Sequence, residues 1–175
     1  MTTFLFPKRA FSEDSRQFPA LLKKQTLQIG LAERNTTCFA SGDSVILDFG
    51  EELSGGVRIL TYFAGNVPVR IRFGESLTEA CSELGGQRNA TNDHSLRDLK
   101  VHLQNYSDMT FGQTGFRFVR LDFEGEVQLK CVVAAAQVSN RKAKYVYDGT
   151  DRRVREIFDA AKRTVDLCVS GGYVW

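Results

Sequence analysis

The stretch Gly112-Gln-Thr-Gly-Phe-Arg-Phe-Val-Arg-Leu-Asp-Phe123 joins a glycine-marked turn to a run of strict alternation. From Arg117 onward, Val119, Leu121 and Phe123 fall on one side of an extended chain, and Phe118, Arg120 and Asp122 fall on the other, because successive strand side chains point to opposite faces. One face of such a strand rests on a core. Runs of the same period lie upstream and another lies downstream, so this strand is expected well inside an antiparallel sandwich.

Working outward, Val45, Leu47 and Phe49 alternate before Gly50, Ser54-Gly55-Gly56 reads as a turn, and a second run follows from Val57 to Phe63. Ala64-Gly65-Asn66 then leads into Val67 to Phe73, where Val67, Val69, Ile71 and Phe73 face one way and Pro68, Arg70 and Arg72 the other. A three-residue loop with a glycine between two such runs predicts a hairpin. Pro68 has no N–H to give to a ladder and is expected at a strand start or an edge. Further strands are expected at Lys100 to Leu103, Met109 to Phe111 and Val127 to Val138, with Val127, Leu129, Cys131 and Val133 on one face. Phe4 to Phe18 reads as an irregular arm over the core, with a short strand at Thr26 to Ile29. About eight strands at this turn spacing describe a mostly-β chain, an antiparallel β-sandwich or jelly roll.

After Tyr145-Val-Tyr147 the period changes. Asp148 or Thr150 is placed to cap a helix in which Val154, Ile157, Phe158, Ala161, Val165 and Cys168 recur at spacings of three and four. Residues 1–147 therefore read as a sandwich domain with an N-terminal arm, and 148–175 as a linker and one amphipathic helix. The helix stripe is the expected interface. An undocked helix of this length is marginal in water, so its stripe is expected to be covered by a neighbouring molecule at least as much as by the sandwich.

Composition excludes several functions. With 42% hydrophobic and 25% charged residues in 175, the chain reads as an ordinary soluble globular protein. Its formal charge of +2 and short basic pairs, Lys23-Lys24 and Arg152-Arg153, give no stripe for tracking nucleic acid. No stretch has membrane-spanning length, and Met1 to Phe11 lacks the apolar core of a signal peptide; the compartment is open between cytoplasm, periplasm and exterior. Cys38, Cys81, Cys131 and Cys168 form no C-x-x-C pair, so they read as thiols and no metal or cofactor is expected.

No catalytic residue is assigned. Neither His94 nor His102 has the context of a metal ligand or a nucleophile's base, and Glu51-Glu52, Asp122, Glu124 and Glu126 read as carboxylates of strand ends and turns. Gly112-Gln-Thr-Gly115 is not a phosphate loop, since no helix follows it. The long polar segment Gly74 to Leu96 carries Asn92-Asp93-His94, an amide, a carboxylate and an imidazole in adjacent positions suited to sugar hydroxyls. The alternative is an Asx turn bonded to itself.

Taken in order, Asp48-Phe-Gly-Glu-Glu-Leu-Ser-Gly-Gly56, Ile71-Arg-Phe-Gly-Glu-Ser-Leu77, Ala90-Thr-Asn-Asp-His94 and Gly112-Gln-Thr-Gly-Phe-Arg-Phe-Val-Arg120 resemble the N-terminal β-sandwich of bacterial α-L-rhamnosidases. The tail from Arg155-Glu-Ile-Phe158 to Gly172-Tyr-Val-Trp175 is similar to the opening helix of their catalytic (α/α)6 barrel. The resemblance implies an inverting glycoside hydrolase acting on rhamnose-containing glycans, with acid and base carboxylates about 6.5–9.5 Å apart. In the family these lie in the barrel, beyond the position matching Trp175, so none is carried onto this sequence. The implied role is an accessory sandwich bracing a catalytic barrel that this sequence does not include and contributing to glycan binding; self-association through the helix is expected from its uncovered stripe instead. The alternative is a free-standing carbohydrate-binding module.

Overall fold

The computed structural model describes residues 1–83, 96–138 and 146–169, together with the backbone of 170 and 173–174. Among these residues the strands are β1 (Thr2–Leu5), β2 (Arg9–Phe11), β3 (Thr37–Phe39), β4 (Ser44–Ala64), β5 (Val67–Gly74), β6 (Asp98–Leu103), β7 (Ser107–Phe123), β8 (Val127–Gln137), β9 (Val169–Ser170) and β10 (Tyr173–Val174). The helices are α1 (Pro19–Leu22), α2 (Leu77–Cys81) and α3 (Arg152–Cys168). All pairings are antiparallel.

Two long strands build both layers. Residues 44–48 of β4 pair with 118–122 of β7, and this part of the sheet continues to β2 on one side and to β5 and β6 on the other. Residues 57–61 of β4 pair with 107–111 of β7, and here β4 continues to β8, whose far edge carries β1 and β3. The result is a sandwich whose layers share β4 and β7. The register breaks between Asp48 and Leu53 and again between Gly55 and Val57 mark the bend, as bulges do at sheet corners. Gly55 sits there at φ +146°, and a Cβ on it would lie 2.2 Å from the Ala135 carbonyl oxygen. Gly112, at φ +80°, lets the Phe73 ring approach to within 2.6 Å of the place a Cβ would occupy. Only glycine meets both demands without strain.

The alternation read in 117–123 is the one observed: Val119, Leu121 and Phe123 are buried, with Phe116 joining them. Phe116 meets Phe49 and Phe73 edge-on at centroid distances of 5.7 and 5.2 Å, and Phe39 stacks on Phe123 at 4.2 Å. Pro68 stands at the start of β5, one residue before the β7 ladder begins at Val69, where its missing N–H costs nothing.

Several expectations are corrected. Ser54-Gly55-Gly56 is not a turn between two strands but the bend of the single strand β4. Val57 to Phe73 is not a hairpin: β5 pairs with β6 and β7, so Gly65-Asn66 carries the chain from one layer to the other. The arm is more regular than expected, since β1 and β2 lie in it, while Thr26 to Ile29 forms no strand. Phe18 and Leu21 of the arm are buried in the core. On β8 the register slips opposite Thr61, so Val132, Ala134 and Ala136 join Val127 and Leu129 in the core cluster, and Cys131 and Val133 are buried outside it.

Asp48 is a fully buried charge, 0% exposed, and it ties three strands. Its carboxylate accepts from Arg9 Nε at 3.1 Å, Arg117 Nε at 2.9 Å and Nη2 at 3.2 Å, and the Gly50 N–H at 2.7 Å. Burial by itself raises the Asp48 pKa; the bonds from Arg117, Gly50 and Arg9 outweigh it and hold the group at about 2. Its folded pKa lies below the unfolded value, so the stabilisation is present above about pH 4 and is lost as pH falls through about 2. Asp48→Ala is expected to cost about 3 kcal/mol in urea denaturation, because two guanidinium groups lose their shared partner. In Asp48→Asn the share of acid destabilisation due to this group between about pH 4 and 2 disappears. Equal acid midpoints for the wild type and Asp48→Asn would contradict this assignment.

Candidate functional site

The bend in β4 places Glu51 and Glu52 at the corner of the sandwich, and α3 lies against them. Asp151, rather than Asp148 or Thr150, caps α3: its carboxylate accepts from the Arg153 N–H at 2.8 Å and the Val154 N–H at 3.3 Å. Arg163, on the fourth turn, reaches the corner. Its Nη2 donates to the Glu52 carbonyl oxygen at 2.5 Å and pairs with Glu51 Oε2 at 3.1 Å. Between helix and sandwich lies a cleft of about 450 Å³, lined on the helix by Asp159, Lys162, Arg163, Asp166 and Leu167 and on the sandwich by residues that include Leu5, Leu53, Ser54 and Gln137.

The helix thus meets the sandwich with its charged side. At about 100° per residue, Val154 and Arg163 stand about 180° apart around the axis. The stripe of Val154, Ile157, Phe158, Ala161, Val165 and Cys168 therefore turns away from the sandwich. Val154 is 43%, Ile157 69% and Val165 58% exposed. Ala161 is exposed, Phe158 and Cys168 are half-buried, and the Phe158 ring lies 6.3 Å from that of Tyr147. No described residue of α3 is fully buried.

Beneath the corner the carboxylates crowd. Glu52 Oε1 is buried without a hydrogen-bond partner. Glu52 Oε1 and Glu75 Oε1 both lie within 3.5 Å of the point where a Cβ would stand at Gly115. Glu79, on α2, pairs with the buried Arg97, which also reaches Glu75 at 3.4 Å. Burial and the charges of Glu75 and Glu79 raise Glu52 to about 7, against the opposing pull of Arg97 and Arg163. The cluster therefore holds a proton that exchanges near neutrality.

Glu52 is the residue that sequence reasoning missed. Its neighbour Glu51 is exposed, as expected of a turn carboxylate, and the two look alike in sequence. Asp122 and Glu124 have structural partners: Asp122 accepts from Arg72 at 2.8 Å and from Arg120 at 2.7 Å, and Glu124 pairs with Lys100 at 2.6 Å. His102 stands on the wet face of β6, with Nδ1 3.4 Å from the Asn66 carbonyl oxygen. Asn92, Asp93 and His94 lie outside the described residues. Among the described residues no group of three or more His, Cys, Asp and Glu is arranged to hold a metal ion, and no helix is long and apolar enough to cross a membrane.

No protein-family model matches the sequence, and no curated protein matches it significantly. Solved structures do share its architecture. A rhamnosidase from Klebsiella oxytoca, solved with rhamnose bound, superposes on 77% of the chain with a TM-score of 0.65 and 23% identity. The fold is one that rhamnosidases contain. A rhamnosidase of family GH78 from Bacillus sp. GL1 superposes on 87% of the chain with a TM-score of 0.54 and 13% identity. The chain spans 28% of the length of the first rhamnosidase and 16% of the second.

The raised Glu52 pKa sets a pH dependence. The unfolded chain releases this proton near the ordinary glutamate value of 4.5 and the folded chain at about 7, so stability falls as pH rises between those values. Glu52→Gln is expected to match the wild type in Tm at about pH 4.5 and to exceed it increasingly up to about pH 8. Parallel Tm profiles for the two proteins would refute the assignment.

Proposed function

We propose that this chain is an accessory β-sandwich of an α-L-rhamnosidase-like glycoside hydrolase, and that α3 joins it to a helical catalytic domain. The observation that carries this reading is the orientation of α3. A helix held to its sandwich by Arg163, with its apolar stripe facing outward, is a connector that has one side occupied and one side to fill. Val154, Ile157 and Val165 are about half exposed already, so covering what remains is worth roughly 1–2 kcal/mol each, which suits a helix that is marginal alone. The shared architecture with two rhamnosidases and the four sequence segments quoted above support the same reading. On it, residues 148–175 are linker and first helix of the catalytic domain, and the glycan is that domain's substrate. A free-standing carbohydrate-binding module gives the outward stripe no use. The contribution of Asn92, Asp93 and His94 to sugar binding rests on their chemistry and position in the polar segment.

Two measurements test the proposal. In the absence of a helical domain, the stripes of two copies are expected to cover each other, so the chain runs as a dimer or larger in light scattering. Ile157→Asp with Phe158→Asp restores a monomer with an unchanged β signal in circular dichroism. A wild-type monomer at high concentration would count against a docking face on α3. The chain is also expected to release no nitrophenol from 4-nitrophenyl α-L-rhamnoside. Turnover that vanishes on substituting one of its own Glu or Asp residues would replace the accessory role with a catalytic one.

A further inference from the structure

A second concavity lies at the opposite end of the sandwich. Gln128 and Gln137 are nine residues apart on β8, roughly 30 Å at about 3.3 Å per residue, and Gln137 lines the α3 cleft while Gln128 lines a groove of about 330 Å³. That volume falls at the lower end of the range of about 300–1,000 Å³ typical of small-molecule sites.

The groove is built on a row across three strands. Cys38 of β3 pairs with Gln128 of β8, and Gln128 pairs with Phe63 of β4; residues directly opposite on neighbouring strands present their side chains on the same face. Phe63 is 52% exposed, so an aromatic ring stands at the open edge of the groove. The polar groups around it are held in place. Gln128 Nε2 donates to Thr36 Oγ1 at 2.6 Å, which fixes the amide and leaves its oxygen as an acceptor. Arg16 lies over the Phe18 and Phe39 rings at 5.3 and 5.5 Å and donates to Asp43 Oδ2 at 2.7 Å. Asp43 is anchored in turn by the Ala40 N–H at 2.8 Å. Glu126 completes the lining.

We infer that this groove binds a single neutral pyranose, with one face of the ring against Phe63 and its hydroxyls donating to Asp43, Glu126 and Gln128. The chemistry of the lining selects that class. Two carboxylates and an amide oxygen call for a ligand rich in O–H donors, and they repel an anion. Arg16 is neutralised by Asp43 yet still opposes a second cation. The exposed ring asks for a ligand with an apolar face as well as hydroxyls. Because the polar groups are ordered beforehand, little side-chain entropy is lost on binding. The groove is shallow and one-sided, so the expected Kd is on the order of 1 mM or weaker. At its distance from α3 the site would hold a glycan without touching whatever that helix covers. This inference goes beyond the hydrolase reading and stands or falls separately from it.

The test is an NMR titration of the full ¹⁵N-labelled chain with L-rhamnose, L-fucose and D-galactose, with D-glucuronate as the anionic comparison. Saturable shifts at Phe63, Gln128 and Asp43 with at least one neutral sugar, and binding at least about tenfold weaker for glucuronate, are expected. Phe63→Ala is expected to weaken that binding at least about tenfold with Tm nearly unchanged, since the ring is half exposed and outside the core cluster. Gln128→Ala gives a second, independent loss at the same site. No saturable shift at any of these residues, shifts confined to 84–95, or binding that survives both substitutions would overturn the inference.

Discussion

The structure depends on one constraint: β4 and β7 must each cross from one layer of the sandwich to the other, and their ladder slips register twice at the crossing. Bending both at the same corner requires a position where a backbone passes close to Ala135 and another where an aromatic ring, Phe73, presses on the chain. Gly55 and Gly112 meet these needs. Because the layers share two covalent strands, they cannot slide past each other as two independently closed sheets can. The same bend presents the Glu51 carboxylate and the Glu52 backbone carbonyl to Arg163, so the seat of α3 follows from the route of β4.

The charges of the sandwich divide into two kinds. Asp48 between Arg9 and Arg117, Lys130 against Glu33 at 2.5 Å, and Arg72 against Asp122 are each matched by opposite charge. Glu33 and Asp48 are both held below the usual carboxylate range by those partners. These pairs specify register, since each joins segments far apart in sequence. Glu52 is of the other kind. It shares its surroundings with Glu75 and Glu79, and Arg97, which opposes their effect on it, is engaged by those two. Its proton relieves a repulsion that the fold does not otherwise resolve.

Alternation in 117–123 and 67–73 was sufficient to read which side chains enter the core, because burial is a property of the strand itself. It was silent about partners. Val57 to Phe73 has the pattern and loop length of a hairpin, and the structure instead inserts β7 between its arms; face periodicity is the same in both arrangements. Ser54-Gly55-Gly56 misled for a related reason, since glycine permits a bulge as readily as a turn. The short strands β1 and β2 were missed because their order comes from β8 and β4, far along the chain. The stripe of α3 was legible from its spacing, but its outward direction was not, since that is set by Arg163 meeting Glu51 and Glu52. The proton affinity of Glu52 has no local signature at all: Glu75, Glu79 and Arg97 reach it from other segments.

The pairing of β8 bears on how the chain is made. Met1 and Val138, 137 residues apart, share a hydrogen bond, and β1 and β3 both take β8 as their only strand partner among the described residues. A ribosome releases the N-terminal segments first. At about 5–20 residues per second, β1 waits roughly 7–30 s for its partner to leave the exit tunnel, and the arm's Phe18 and Leu21 wait with it for the Leu129 side of the core. During that interval the open edge of β4 is free to join any other strand. Rapid synthesis, or a chaperone that holds the first forty residues, shortens or covers that exposure.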